Sequence, residues 1–453
     1  MKKILCLLLA LLMVFTLFAC SSTKEPTGDN TDSTADTPDV TEDKPFTGLE
    51  MEWTEQDEMF KSIAGTTITK IGNPADLDEW SLQVHQEFME RYDVKINWLN
   101  MTYDEYTSKL PQLVATGNAP DTAVMTDATS LAFMYQGLCA PIDEYLDLDD
   151  PYWDQDVLEA YKMNGHYYAV NTNEVETFFV YYNRTLFEEL ALDDPYELYL
   201  NGEWTYDKLR EIAQKATIYE DDNTTVKTYG IGTHAREVFV LANGGKFIDY
   251  DEANNTYVST LKDKATITGL NFLRDLIADG SMNPSIQGFT EFPSRKIAMF
   301  VERPMNAIGN YDLLNTMEDE IGIVPFPQGP DTDVTYAPSI FVTNFVPTNC
   351  KNPLGGMAWN YFWARRLAEG AQERDEAWVY RNSKMMNEEQ ESVINDYLAG
   401  ATKLSSKMDS LVGWSTNYRE TFWADLIWQQ KSAEEVAAAM ENVLNNALKD
   451  TVG

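Results

Sequence analysis

Two stretches of alternating strand and helix pattern, joined by one aromatic segment, predict an α/β fold of two lobes. Each lobe reads as a mainly parallel sheet flanked by helices, and the C-terminal region reads as helical. Between residues 66 and 125, three stretches of β-branched alternation are separated by two stretches of apolar residues at helical spacing, the pattern of a parallel sheet with right-handed crossovers. A second such series follows residues 165–192, GHYYAVNTNEVETFFVYYNRTLFEELAL, where Thr177, Phe178, Phe179, Val180, Tyr181 and Tyr182 form a strand-like run. Size agrees: 453 residues at 44% hydrophobic and 12% aromatic are enough for more than one core.

The chain opens on Met1, Lys2 and Lys3, then an apolar run over residues 4–15, then Leu17, Phe18, Ala19 and Cys20. A charged start, an apolar middle too short to span a bilayer and a small residue before the break predict a signal peptide at 1–19. Residues 17–20 resemble a bacterial lipobox, with Phe18 where a small residue is usual, which implies lipidation of Cys20 and anchoring at the outer face of the cytoplasmic membrane. Residues 21–60 hold twelve acidic residues against two lysines, so 20–60 is expected to be a disordered acidic linker whose last part, 53–60, can dock. Cys139 and Cys350 remain for the mature body; their spacing supports neither a pair nor a metal motif, and free thiols are expected.

In the body, 66–71 reads as a strand, Asp76 with Glu79 as a capping box, 94–98 as a second strand, Thr102 with Glu105 as a second box, and 122–125 as a third strand. Ligands in such sheets sit beyond the carboxyl ends of the strands, which selects the loops at 72–75, 100–102 and 126–129. Farther on, Trp204, Thr205 and Tyr206 open a helix. Residues 296–301, 321–324 and 341–346 look like strands, 353–368 like a helix, and Ser432 with Glu435 caps a last one.

Chemistry is sparse. His85, His166 and His234 are the only histidines, and no HExxH, GxSxG or Walker loop occurs, so no enzyme activity and no cofactor is expected. Gly230, Gly232 and Ala235 fit a GxGxxA pattern without a clean helix behind it. The run Asp147, Asp149, Asp150, Asp154, Asp156 lacks the glycine and glutamate of a calcium loop, with Tyr152 and Leu158 in their places. A net charge of −39 repels nucleic acid and anionic bilayers.

An ordered set of segments resembles the family 1 extracellular solute-binding proteins, the lipoprotein receptors of bacterial ABC importers, similar in layout to the maltodextrin-binding proteins. The set comprises PDTAVMTDATSLAFMYQGLCAPIDE at 120–144, the YYN and LF of 165–192, residues 206–213, Asn243-Gly244-Gly245, KIAM at 296–299, 324–327 and Lys351-Asn352-Pro353. The resemblance implies a type II periplasmic-binding-protein-like clamp with three crossings, its N-terminal lobe at 61–176 and 303–340 and its C-terminal lobe at 177–302 and 341–453. It implies a small-molecule solute, a saccharide above all, permease transmembrane subunits as partners, and a monomer. Carried onto this chain, the ligand residues it implies are Asn73, Asp76, Thr126, Asp127, Thr129, Glu176, Thr177, His234, Arg236, Tyr336, Trp414 and Tyr418, with Glu176 and Thr177 at the first crossing; Arg303 joins them on the chemistry of its guanidinium. After KIAM the family runs towards Gly-x-Trp, whereas this chain reads Phe300 to Asn306 as FVERPMN, so sugar stacking has to come from elsewhere, as at Trp414 or Tyr418. Arg236, Arg303 and His234 suit a carboxylate or phosphate, which makes an acidic or modified saccharide one expectation. Two readings of other classes stay open: a surface polysaccharide-binding or adhesion lipoprotein uncoupled from transport, and a secreted glycosidase.

Overall fold

The computed structural model describes residues 51–171, 175–304, 317–369 and 388–453; the signal peptide, Cys20 and the linker as far as residue 50 lie outside the described residues. The chain becomes regular sooner than the composition suggests. Thr54 accepts from the Asp57 amide while the Asp57 carboxylate takes the Thr54 amide, a capping box that starts α1 (Glu55–Phe60). Residues 51–60 are therefore folded, a correction to the linker expected through 60. Phe60 is wholly buried, and that gain outweighs the local acidity.

From there the chain runs β1 (Thr67–Ile71), α2 (Glu79–Tyr92), β2 (Lys95–Leu99), α3 (Tyr103–Ala115), β3 (Ala123–Thr126), α4 (Ser130–Tyr135), α5 (Gln155–Ala160) and β4 (Val170–Asn171). The Thr102–Glu105 box starts α3 as expected. The box at Asp76 and Glu79 does not form: Asp78 caps α2 through the Ser81 amide, and Asp76 lies in a 3-10 turn that Asn73 caps. Next come β5 (Glu176–Thr177), β6 (Phe179–Asn183), α6 (Tyr206–Ala216), β7 (Ile218–Tyr219), β8 (Val226–Gly232), β9 (Ile248–Asp251), β10 (Thr256–Ser259), α7 (Lys264–Ala278) and β11 (Ile297–Glu302). The chain ends with β12 (Ile321–Pro325), β13 (Tyr336–Ile340), β14 (Val342–Phe345), α8 (Pro353–Glu369), β15 (Thr402–Leu404), α9 (Arg419–Ile427) and α10 (Ala433–Val452).

In the first lobe β1 and β2 pair in parallel, a bridge from Lys70 to Thr122 brings in the β3 segment, and β14 pairs antiparallel with both β3 and β4. Ile68, Val84, Phe88, Trp359 and Phe362 fill the core beneath it, so the aromatic helix α8 is packing material. The second lobe holds a five-stranded sheet ordered β12-β6-β11-β8-β7, in which only β11 and β8 run parallel. The α/β class stands; the strand directions are mixed because β6 enters its sheet between β11 and β12, antiparallel to both. The two glycines of the GxGxxA pattern serve close packing: a Cβ on Gly230 would lie 1.9 Å from the Ala213 carbonyl of α6.

Strand pairing does not follow the expected lobe boundaries. β12, inside the 303–340 stretch assigned to the N-terminal lobe, is the edge strand against β6. β14 and α8, inside 341–453, complete the first lobe's sheet and core. Between the lobes β5, β13 and β15 form one small sheet ordered β15-β13-β5. Cys139 and Cys350 are free thiols. No helix among the described residues is long and apolar enough to cross a membrane.

Candidate functional site

β5 and the end of β11 bring three of the sequence-selected residues together. Arg303, the residue after β11, donates from its guanidinium to Glu176 Oε2 on β5 at 3.3 Å. Its backbone amide donates to Glu302 Oε1 at 2.8 Å, and its Nε lies 3.5 Å from the same oxygen. His234 Nδ1 is 3.2 Å from Glu302 Oε2, and the His234 ring lies against Phe289 with centroids 5.1 Å apart. Burial first, then the positive charges of Arg303, Arg236 and Arg419, push His234 down to about 4, so the ring is neutral at pH 7. Phe178, 5.7 Å from the Arg303 guanidinium, gives the cluster an apolar wall. Sequence reasoning missed Glu302. Its signal is a lone acid closing the apolar strand Ile297–Glu302, and it is wholly buried.

A second group sits at the carboxyl ends of β2 and β3. Tyr103, the first residue of α3, places its hydroxyl 3.2 Å from both Thr126 Oγ1 and Thr129 Oγ1. Thr129 also ties its own turn by accepting from the Thr126 amide. Tyr103 is 38% exposed, with its ring 5.9 Å from that of Tyr106, and this tethered aromatic was absent from the sequence-selected set. Gly72 (φ +125°) follows β1; a Cβ there would come 3.4 Å from the Trp98 ring.

The remaining residues divide. Asn73 uses its side-chain oxygen on the Ala75 amide, and Asp76 is exposed. Thr177 is buried with its hydroxyl 3.0 Å from that of Ser339, which makes it part of the crossing sheet. Arg236 lies 5.8 Å from the Trp423 ring with Arg419, Glu420 and Glu237 around it, and burial pushes its pKa down. Tyr336 packs its ring on Gly244 (φ +75°), where a Cβ would meet it at 2.6 Å. Two expectations need correction. Trp414 is wholly buried against Phe422 in the second-lobe core and offers no face for stacking, whereas Tyr418, one turn on, is exposed. Asp127 is also buried: its oxygens accept from the Phe341 amide, the Ser405 hydroxyl and the Tyr161 hydroxyl.

Two lobes joined by a shared small sheet, with polar and aromatic side chains at the junction and at the strand ends, define a solute-binding clamp. The chain belongs to the bacterial extracellular solute-binding proteins, whose sequence profile matches residues 83–384. Its fold is that of solved substrate-binding proteins. It is similar to the substrate-binding protein Lmo0181 of Listeria monocytogenes, crystallised with cycloalternan (TM-score 0.58, 16% identity, 85% of this chain and 99% of that one). It is also similar to UgpB of Mycobacterium tuberculosis in complex with glycerophosphocholine (TM-score 0.61, 15% identity, 85% and 99%). A cyclo/maltodextrin-binding protein complexed with maltotetraose matches at TM-score 0.58 and 18% identity, over 85% and 96%.

Proposed function

We propose that the chain is the receptor of an ABC importer and captures a neutral saccharide between its lobes for delivery to permease transmembrane subunits, as a monomer held to the membrane by lipid on Cys20. The observation that carries this is the Glu176–Arg303–Glu302 cluster at the junction of β5 and β11. Arg303 already faces two carboxylates and His234 is neutral, so the cluster offers fixed acceptors and donors for hydroxyl groups rather than spare positive charge for an acidic sugar. Tyr103 supplies the aromatic face that the missing Gly-x-Trp would have given.

A thermal-shift screen over neutral oligosaccharides, uronates, polyols and peptides finds the class, since a ligand far above its dissociation constant stabilises the fold. Glu176→Ala is expected to weaken binding of the hit roughly 10- to 100-fold by calorimetry, the value of charged hydrogen bonds, with the fold intact. Tyr103→Ala is expected to weaken it about 5- to 10-fold through lost stacking. Wild-type affinity in both variants, or binding of uronates alone, would overturn the reading. Turnover of the bound sugar would favour the glycosidase.

A further inference from the structure

Asp127 follows β3, at the edge of the first lobe, and its side chain is buried at the small sheet between the lobes. Oδ2 accepts from the backbone amide of Phe341, the first residue beyond β13, at 2.7 Å. Oδ1 accepts from Ser405 Oγ, the first residue beyond β15, at 2.9 Å, and from Tyr161 OH, just past α5, at 3.1 Å. One carboxylate thus joins the ends of two of the three strands in the crossing sheet to the tip of a first-lobe strand.

The surroundings make this an enclosed device rather than a surface turn. Lys407, also buried, donates to the Ala160 carbonyl and lies over the rings of Tyr161, at 4.4 Å, and of Tyr257 from β10, at 5.9 Å. Lys246 and Asp249 act on Lys407 from the segment around β9. Burial, offset by the Phe341 amide, Lys407, Ser405 and Tyr161, sets Asp127 up to about 6; it is mainly ionised at neutral pH, when both oxygens only accept.

We propose that Asp127 is the pin of the hinge: fixed on the first lobe by the Phe341 amide and the Tyr161 hydroxyl, it holds the segment after β15 against the end of β3 through Ser405 and so sets the angle between the lobes in the solute-free protein. The Phe341 bond continues the β3–β14 pairing, in which Thr126 faces Val342, and so fixes the carboxylate on the first lobe; the Ser405 bond is the one that rotation of the second lobe about the crossing sheet has to carry or stretch. The inference rests on the two-lobed fold and not on the identity of the solute, and its test needs no ligand.

Asp127→Ala removes both acceptors at once and leaves the Phe341 amide and the Ser405 and Tyr161 hydroxyls without the carboxylate. In the full chain at pH 7.5, hydrogen exchange is expected to speed up roughly tenfold or more at the Phe341 amide. Small-angle X-ray scattering of the same solute-free sample is expected to show a radius of gyration shifted from wild type beyond repeat scatter. Ser405→Ala, which removes one hydroxyl and leaves the carboxylate, is expected to shift the radius in the same direction by less, and it decides the matter should Asp127→Ala fail to fold. Faster exchange with superimposable scattering would overturn the proposal, and so would unchanged exchange at Phe341.

Discussion

Replacing Asp57 with alanine is expected to lower the free energy of unfolding by about 3–5 kcal/mol, the scale for stripping one partner from a buried charge network. Asp57 is 1% exposed and serves Arg91 and Arg365, each at 2.8 Å, the Tyr92 hydroxyl and the Thr54 amide. Arg365 is itself nearly buried, so its charge would lose a partner where water cannot replace it. Arg91 also holds the carbonyls of Met51 and Glu52, and its guanidinium stacks 4.3 Å from Trp53, so the same change loosens the whole N-terminal turn. Burial alone would push the Asp57 carboxyl up, but the bonds from Arg91, Tyr92 and Thr54 win and hold it below its ordinary value. A depressed carboxylate contributes stability that is complete above its unfolded value near 4 and is lost as pH falls through the folded value. Urea unfolding at pH 7 and pH 3 checks both parts: a gap between wild type and Asp57→Ala that stays under about 1 kcal/mol at pH 7 would refute the first, and a gap that fails to narrow in acid the second.

Lys70→Met is expected to move the other way, stabilising the protein by about 1–3 kcal/mol at pH 7. Lys70 points from β1 into the first-lobe core, with Nζ 2.8 Å from His85 Nε2 and 3.0 Å from the centre of the Trp359 ring. Among the described residues no carboxylate forms an ion pair with it. The ring face favours the ammonium, but desolvation is larger and holds the amine well below its usual range, while burial and Lys70 together take His85 down to about 3. Between its lowered folded value and its unfolded value near 10.5 the unfolded chain binds a proton at Lys70 that the folded chain does not, so wild-type stability rises with pH across that interval and levels off above it. The methionine variant lacks that rise. Melting curves from pH 6 to pH 10.5 should start with the variant ahead and converge; parallel curves, or a variant below wild type at pH 7, would show that the ammonium is a net stabiliser.

What the sequence made legible was local. The boxes at Thr102–Glu105 and Ser432–Glu435 form because both partners lie within one turn. The box at Asp76 and Glu79 fails because Asp78 stands closer to the helix and takes the capping role. Lys70 sits on the buried face of a strand whose alternation reads correctly, but only the aromatic lid from α2 and α8 reveals that its amine is enclosed. The site shows the same division. Family resemblance points to Glu176 and guanidinium chemistry to Arg303, each separately, and their contact spans 127 positions of chain that no periodicity could bridge. Asp127 looked like a loop residue open to ligand because its partners, Phe341 and Ser405, are 214 and 278 positions away. Trp414 and Tyr418 share one spacing argument, yet Phe422 and the second-lobe core cover only the first.

The interleaving of β12, β14 and α8 has a consequence for how the protein comes into being. The first lobe's sheet lacks β14 and its core lacks Trp359 and Phe362 until residue 369 has been made, and the second lobe's core waits for Leu444 and Leu448 on α10. Neither lobe can finish folding as an independent unit during synthesis, since the contacts that close each one are far apart in sequence and loop closure has to come first. A growing chain arrested before residue 340 would hold all five strands of the second lobe's sheet but neither core complete, so the natural order of assembly is late and joint, with both cores closing in the last quarter of the chain.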